Sequence, residues 1–214
     1  MAVKSRHQCL IYEGSPARQL AAVAEVVRAK LAQNWRCLYL NSPAMVAGMR
    51  SYLAAAGVDV ALEAAKSSLM LSSERHHLDG GTRFDSRTML SSLADALRQA
   101  LRDGYDGLWA TGDMTWELGP EKDFSQLLEY EWQLEEFFST HPELEGICQY
   151  HADTMPESAL RDGVRAHRAV FINQTLSVVN PHFLPPRPAA DKAREDPRIA
   201  GFLHDLRKRP QSPG

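Results

Sequence analysis

Short apolar runs typical of buried β-strands alternate with amphipathic helical segments along most of this 214-residue chain. Strands separated by helices imply crossovers between parallel neighbours, and such a sheet needs helices on both faces. The pattern therefore predicts an α/β fold, a three-layer sandwich around a mostly parallel central sheet. The predicted strands are 9–12, 35–40, 107–111, 147–150, 170–172 and 176–179, and the predicted helices are 20–31, 43–56, 86–103, 124–139 and 156–166. Two other short runs, 58–62 and 69–71, are further strand candidates, although 61–65 also suits a helix.

The C-terminal part of the chain changes character after the last two strand candidates. Only residues 173–175 separate those strands, so we expect an antiparallel hairpin at the edge of the sheet. Three prolines follow in 185–188, and apolar residues then recur at helical spacing over 199–206. We predict a domain over 1–184, followed over 185–214 by a Pro-rich linker with a short amphipathic helix. We expect this helix to pass the signal to a partner protein or to form a dimer. Docking of the helix onto its own domain is the alternative.

The turn between the first predicted strand and helix lacks the parts of a phosphate-binding loop. Residues 13–19 read Glu-Gly-Ser-Pro-Ala-Arg-Gln. A phosphate loop ends in Gly-Lys-Ser/Thr, whose lysine reaches the phosphates and whose hydroxyl holds Mg²⁺. Arg18 and Gln19 stand where those two residues would be needed. The chain therefore has the layout of a nucleotide-binding protein without the groups for phosphoryl transfer, which favours a sensor over a motor or a kinase.

Composition and charge are those of an ordinary globular protein. The chain is 44% hydrophobic and 24% charged. Its net charge of −3 gives no sign of a surface for nucleic acid or acidic membranes. Because we find no signal-peptide core and no apolar run of membrane-spanning length, we expect a cytoplasmic protein. Cys9, Cys37 and Cys148 lie in apolar strand-like runs and are expected to be buried thiols rather than a disulfide or a metal site.

Seven stretches of the chain are informative as an ordered set, although none is specific alone. They are His7-Gln8-Cys9-Leu10-Ile11-Tyr12-Glu13, Arg36-Cys37-Leu38-Tyr39-Leu40, Gly112-Asp113-Met114-Thr115-Trp116, Leu128-Glu129-Tyr130-Glu131, Cys148-Gln149-Tyr150, His167 and Asn180-Pro181. Over about residues 5–184, this set resembles the MEDS family, the sensory domain named for methanogens, methylotrophs and the dichloromethane-responsive regulator DcmR.

The resemblance implies a RecA/KaiC-like layout without a phosphate loop and without a cofactor. It implies a non-catalytic sensory or regulatory domain that binds a small, hydrocarbon-derived ligand. One departure is Trp109 in the central strand, where family members often carry Arg to meet an anionic group. Because no DNA-binding or kinase domain is recognisable, we expect output through a separate protein partner, such as a transcription regulator or a sensor kinase. A homodimer is a further possibility, and no direct binding to nucleic acid or to membranes is expected.

The strongest candidate ligand-binding residues are Glu131 and His7. Glu131 interrupts the apolar stripe of the helix predicted over 124–139, so its carboxylate must be neutral, paired or facing a cavity. His7 precedes the first strand and could line a pocket with Glu131 as a pair that titrates near neutral pH. For both residues a purely structural role is the alternative, as a capping carboxylate and a hydrogen-bonded core histidine.

Other candidates follow from strand ends, because ligands of open parallel sheets lie outside the carboxyl ends of the strands. Tyr12 and Glu13 end the first strand, and Asp113 and Trp116 follow the central strand. We expect a mainly apolar pocket bounded by His7, Tyr12, Trp116 and Glu131, with Trp116 as an apolar wall or as simple packing.

Three residues complete the predicted site. Cys148 and Tyr150 alternate with Gln149 and so share one face of the sheet, and the resemblance adds His167. Nothing in the sequence places an activating group beside Cys148, so thiol catalysis is not expected. The set His76-His77-x-Asp79 resembles a metal cluster only superficially, and we expect a solvated loop and no metal site.

Two other classes of function stay open. One is a cryptic NTPase or a small-molecule hydrolase that uses the His, Glu and Cys side chains. The other is a degenerate phosphate-loop protein that acts as a scaffold or adaptor, for which the Pro-rich linker and the terminal helix are the main support.

Overall fold

The computed structural model describes residues 5–76, 78–79, 83–119, 123–173, 176–185 and 201–205. The strands are β1 (His7–Tyr12), β2 (Trp35–Leu40), β3 (Leu69–Ser72), β4 (Leu78–Asp79), β5 (Arg83–Phe84), β6 (Gly107–Asp113), β7 (Leu144–His151), β8 (Ala169–Asn173) and β9 (Leu176–Val179). The helices are α1 (Leu20–Ala32), α2 (Pro43–Ala55), α3 (Val60–Ala65), α4 (Ser86–Arg102), α5 (Met114–Glu117), α6 (Leu127–Thr140) and α7 (Glu157–Ala166). Short 3-10 helices precede α1 and α6. None of the helices in the described ranges is long and apolar enough to cross a membrane.

Seven of the strands form one sheet in the order β3-β2-β6-β7-β1-β8-β9. Each neighbouring pair is parallel except β8 and β9, which are antiparallel. Helical crossovers connect the parallel strands, as the alternating sequence pattern requires. The predicted mostly parallel sheet and the antiparallel hairpin at its C-terminal edge are confirmed. β4 and β5 pair separately as a two-residue ladder.

Helices cover both faces of this sheet, so the predicted three-layer architecture is confirmed. Alternation along β1 sends Cys9 into a core with α4, α6 and α7, and sends Leu10 into a second core with α1 and α2. We call these two sides of the sheet the α6 face and the α1 face. Apolar side chains fill both cores, so the polar residues buried on either face need partners inside the protein.

Local signals explain most element boundaries. Asp85 caps α4 by accepting a hydrogen bond from the Arg87 backbone N–H at 3.0 Å. Residues 60–65 form the helix α3 rather than a strand, because Asp59 caps that segment through the Leu62 N–H at 3.0 Å. The strand candidate at 69–71 is confirmed as β3.

Residues 201–205 are helical and contact the α6 face. Leu203 is only 3% exposed and belongs to the core there, and the Phe202 ring lies 5.1 Å from the ring of His182. These contacts correspond to docking onto the chain's own domain, the alternative that the sequence left open. The linker predicted before them, from 186 to 200, lies outside the described residues.

Candidate functional site

A buried polar cluster lies between the sheet and α6, beside the strand pair β1 and β7. In the parallel register Cys9 pairs with Cys148, so His7 and Cys148 are diagonal neighbours on the α6 face. His7 Nε2 lies 3.3 Å from Cys148 Sγ. The sequence alone places no activating group beside Cys148, and the structure brings His7 next to it. The two residues are 141 positions apart, and no local pattern could reveal the contact.

Glu131 reaches this cluster from α6 and is fully buried. Its Oε2 atom lies 3.5 Å from His7 Nε2 and 3.5 Å from His167 Nε2. Its Oε1 atom accepts a short hydrogen bond from the Tyr150 hydroxyl. The prediction that this carboxylate is buried on an apolar helix face is confirmed, and so is the shared face of Cys148 and Tyr150.

Glu135, one helical turn after Glu131, fixes the orientation of His7. His7 Nδ1 donates a hydrogen bond to Glu135 Oε2 at 3.1 Å, and Arg168 Nε donates to Glu135 Oε1 at 2.6 Å. The Phe138 ring stacks on the His7 ring with a centroid separation of 4.6 Å. Because Nδ1 is held by a carboxylate, Nε2 is the His7 atom that faces the centre of the cluster.

His167 approaches from the end of α7. Its Nδ1 atom donates to the Gly163 carbonyl at 2.6 Å, which leaves Nε2 pointing at Glu131. Asn180 secures this helix end by donating to the carbonyls of Val164 and His167, the latter at 2.7 Å. α7 can lie this close to the sheet because Gly163 has no side chain: a Cβ atom there would come within 2.6 Å of the Tyr150 ring.

Burial and neighbouring charges set the protonation of the cluster. Burial alone would lower the pKa of His7, but its contacts with Glu131 and Glu135 outweigh burial and raise that pKa. Burial opposes ionisation of Glu131, yet His167, His7 and Tyr150 together lower its pKa. For His167, burial and the proximity of His7 lower the pKa to about 4, so this imidazole is neutral near neutral pH.

The Cys148 thiol is not activated by these neighbours. Burial, and then the charge of Glu131, raises the pKa of Cys148 well above its ordinary value. A thiol held in its protonated form is a weak nucleophile. The geometry therefore gives no support to thiol catalysis, even though His7 is in hydrogen-bonding range.

A mainly apolar cavity of about 350 Å³ adjoins the cluster on the α6 face. Side chains of β2, α4, β6 and α6 line it, among them Leu38, Met89, Leu93 and Phe138, and Cys148 belongs to both the cavity wall and the cluster. Such a volume falls at the lower end of the roughly 300–1,000 Å³ typical of small-molecule sites.

Glu117 supplies a carboxyl group to the wall of this cavity and is 2% exposed. Burial, and then the charges of Glu131 and Asp113, raises its pKa well above the ordinary value, while a hydrogen bond with Tyr130 acts in the opposite direction. The carboxyl is therefore held in its neutral form. The glycine at position 112 makes room for it, since a Cβ atom there would overlap the Glu117 carboxyl.

Comparison with known proteins identifies the family of this chain. Residues 6–168 match the model of the MEDS family, the MEthanogen/methylotroph, DcmR Sensory domain. The chain belongs to the MEDS family. This match spans every strand from β1 to β7 and every helix from α1 to α7, and it contains the whole polar cluster, with Arg168 as its last residue. A search among curated proteins finds no match.

Two of the predicted site residues of this MEDS domain lie on the opposite side of the sheet. Tyr12 packs in the core of the α1 face, and its hydroxyl donates to Asp113 Oδ2 at 2.7 Å. His7 and Tyr12 are five residues apart in one strand, so alternation sends their side chains to opposite faces. Asp113 also caps α5 by accepting from the Trp116 backbone N–H at 3.0 Å. This pair is separate from the cluster around Glu131.

Glu13 and Trp116 also lie apart from the cluster. Glu13 follows β1 and is half-buried. Trp116 is buried in α5, where the Arg75 guanidinium lies 4.9 Å above its ring. The described lining of the cavity includes Cys148 but not His7, Tyr12, Trp116 or Glu131.

Glu135 and Glu117 contribute to the site but were not predicted from the sequence. Glu135 follows Glu131 by four residues, so the two carboxylates share one helix face. This spacing is the sequence signal that could have predicted Glu135 as a site residue. Glu117 stands in the same i+4 relation to Asp113, at the end of a one-turn helix that the sequence did not predict.

The first turn of the MEDS domain has an acidic neighbour where a phosphate loop would bind its anion. The Gly14 N–H donates to Asp153 Oδ2 at 2.7 Å, and the Gly14 carbonyl lies 2.9 Å from His151 Nε2. A carboxylate therefore occupies a backbone donor that a phosphate would need. Trp109 is buried on the α1 face and packs in its core.

His76, from the histidine pair in the loop after β3, is exposed and lies 2.6 Å from Glu74. His77 and the side chain of Asp79 are outside the described residues, so the expectation of a solvated loop stays a prediction there.

Proposed function

We propose that this sensory domain detects a small, mainly apolar molecule by binding it in the cavity on the α6 face. The observation that carries the proposal is the cavity itself: about 350 Å³, walled by apolar side chains and adjoining a buried polar cluster. Most of the binding free energy would come from removing the ligand's apolar surface from water.

The polar groups on the wall support a neutral ligand with one polar atom. Glu117 is held neutral by burial, so its carboxyl can donate a hydrogen bond as well as accept one. An anionic ligand would lose its hydration in an apolar cavity near the charge of Glu131, and the described lining residues include no Lys or Arg to compensate its charge. Short alcohols and halogenated hydrocarbons have the expected chemistry.

We infer that the domain acts without catalysis and signals through a separate protein in the cytoplasm. The protonated Cys148 thiol and the carboxylate on the Gly14 N–H both argue against an enzyme of the hydrolase or NTPase class. A transcription regulator or a sensor kinase is the partner that fits a sensory module. Multiple turnover of ATP with Mg²⁺ that is lost on substitution of Asp113 would contradict this part of the proposal.

The test is a thermal titration with n-butanol, with butanoate as the charged counterpart of similar size. A ligand that binds only the folded state raises the midpoint of unfolding as its concentration rises. We expect n-butanol to raise the midpoint of the wild-type chain and butanoate to have no such effect at neutral pH.

Two matched alanine substitutions locate the binding. Ala110→Leu adds bulk to a residue of β6 that lines the cavity, and Ala54→Leu makes the same change at an exposed position of α2 on the α1 face. The proposal requires that A110L abolish the n-butanol effect and that A54L retain it. Equal responses from the two variants would overturn it, and so would no saturable response from the wild type, a result that would favour the scaffold alternative.

A further inference from the structure

Four side chains that commonly ligate metal ions converge at the centre of the buried cluster. They come from β1, α6, β7 and the end of α7, and one ligand atom of each lies within 4.8 Å of the others. We propose that His7, Glu131, Cys148 and His167 bind one divalent metal ion of the zinc class. The sequence predicts no metal site, because these four residues lie far apart along the chain and only the fold brings them together.

The separations between the ligand atoms are close to those of a tetrahedral site. Bonds of about 2.0–2.3 Å from zinc to nitrogen, oxygen and sulfur place neighbouring ligand atoms roughly 3.3–3.7 Å apart. His7 Nε2 lies 3.3 Å from Cys148 Sγ and 3.5 Å from Glu131 Oε2, and His167 Nε2 also lies 3.5 Å from Glu131 Oε2. Closing the remaining separations requires side-chain movements of about 1 Å.

Two buried atoms in this cluster have an unmet need that a cation would satisfy. His167 Nε2 has no hydrogen-bond partner in the described part of the chain, and Glu131 Oε2 has only two distant neighbours, His7 Nε2 and His167 Nε2, each at 3.5 Å. The His167 proton is on Nδ1, which donates to the Gly163 carbonyl, so Nε2 directs a lone pair at the carboxylate oxygen. Two electron-pair donors facing each other in a buried site are unfavourable, whereas a metal ion between them accepts both pairs.

Partners outside the four ligands hold them in orientations suitable for a metal. Ligating histidines in proteins usually donate their second ring N–H to a carboxylate or a backbone carbonyl. His7 makes this bond to Glu135 at 3.1 Å, and His167 makes it to the Gly163 carbonyl at 2.6 Å. The Tyr150 hydroxyl donates to Glu131 Oε1, which leaves Oε2 for the ion.

The charge and the chemistry of this ligand set favour zinc. Binding of the cation would release the proton of the Cys148 thiol. The resulting thiolate and the Glu131 carboxylate neutralise a divalent cation, and two imidazoles complete four-coordination. Ca²⁺ and Mg²⁺ prefer shells of oxygen atoms, so thiolate and imidazole ligands disfavour them. With four protein ligands the site is closed, as in structural zinc sites.

The ion would form part of the wall of the ligand cavity, because Cys148 lines both sites. This inference does not depend on the proposed function: a chain that binds the metal and fails to bind n-butanol supports one proposal and contradicts the other.

Titration of the purified, metal-free chain with Co²⁺ tests the site. Tetrahedral Co²⁺ gives intense visible d–d bands, and a cobalt–thiolate bond adds a charge-transfer band in the near ultraviolet. We expect both signals to saturate at one equivalent and to disappear when Zn²⁺ is added. A folded wild-type chain that shows no thiolate band at saturating Co²⁺ would overturn the proposal, whatever its variants do.

Paired substitutions test whether the Co²⁺ signals come from the proposed ligands. Cys148→Ser should abolish the thiolate band, whereas Cys37→Ser, the same change in a buried thiol of the α1 face, should keep it. Glu135→Gln should weaken Co²⁺ binding roughly 10- to 100-fold through the orientation of His7, while Glu136→Gln at the exposed next position should leave it unchanged. Circular dichroism confirms that each variant is folded. A thiolate band that survives C148S, or equal affinities for E135Q and E136Q, would contradict the assignment.

Discussion

Gly163 lies in the interior of α7, where two physical effects predict opposite results for its replacement by alanine. Alanine is favoured over glycine inside a helix by about 1 kcal/mol. A Cβ atom at position 163, however, would approach the Cε1 and Cζ atoms of Tyr150 to 2.6 Å. Tyr150 is fully buried, so its ring cannot swing into solvent to relieve the contact.

Overpacking of this kind costs about 1–3 kcal/mol in a well-packed core. Displacement of the Tyr150 ring would also weaken its hydrogen bond to Glu131, a loss of about 1 kcal/mol. After subtraction of the helix-propensity gain, we expect Gly163→Ala to lower the free energy of unfolding by about 1–3 kcal/mol. For a chain of this size the unfolding midpoint should fall by roughly 2–12 °C.

Gly48→Ala is the matched control, because Gly48 also lies in the interior of a helix. A Cβ atom there would meet only Leu20 Cδ1 at 2.8 Å, the terminal methyl group of a buried side chain that can change its rotamer. We therefore expect G48A to lose less stability than G163A. Urea unfolding followed by circular dichroism measures both variants. If G163A proves at least as stable as G48A, the close packing of α7 against Tyr150 is wrong.

Three other predictions concern stability. Tyr12→Phe removes the hydrogen bond to the buried Asp113 carboxyl, and it should lower the free energy of unfolding in urea by about 1–3 kcal/mol; an unchanged midpoint would refute the role of this pair. Leu203→Ala should cost about 2 kcal/mol if residues 201–205 complete the core; no loss of stability would return the terminal helix to an external partner. Because burial raises the pKa of Glu117, its contribution to stability should be lost as pH rises above the ordinary value of 4.5 and through the raised pKa of the folded state. Glu117→Gln should flatten this pH dependence of the unfolding free energy and the exposed control Glu129→Gln should not, so equal curves for the two variants would contradict it.

The sheet and most helices could be predicted because their signals are local. The strand 35–40 and the inward-facing residues of α4 at positions 89, 93 and 97 have unambiguous periodicity and buried apolar side chains. Residues 60–65 were ambiguous because a short alanine-rich run suits either structure, and the cap at Asp59 decides it. The one-turn helix α5 is too short for periodicity to reveal.

The candidate site was predicted only in part, because its geometry depends on long-range packing. Glu131 could be recognised from the apolar positions around it, and Cys148 and Tyr150 from their alternation. The prediction that His7 and Tyr12 line one pocket is wrong, because the same alternation sends residues five apart in a strand to opposite faces of the sheet. The contact of His7 with Cys148 depends on the pairing of β1 with β7, which a single sequence does not specify.

Methionine methyl groups offer the most direct test of the central claim, that the cavity on the α6 face binds a small apolar ligand. Met70, Met89 and Met114 line this cavity, and Met49 is buried in the core of the α1 face. In a chain labelled with ¹³C-methyl methionine, NMR titration with n-butanol should shift the signals of the three lining methionines in a saturable way and leave Met49 unchanged. No saturable shift at the lining methionines, or an equal shift at Met49, would contradict the account.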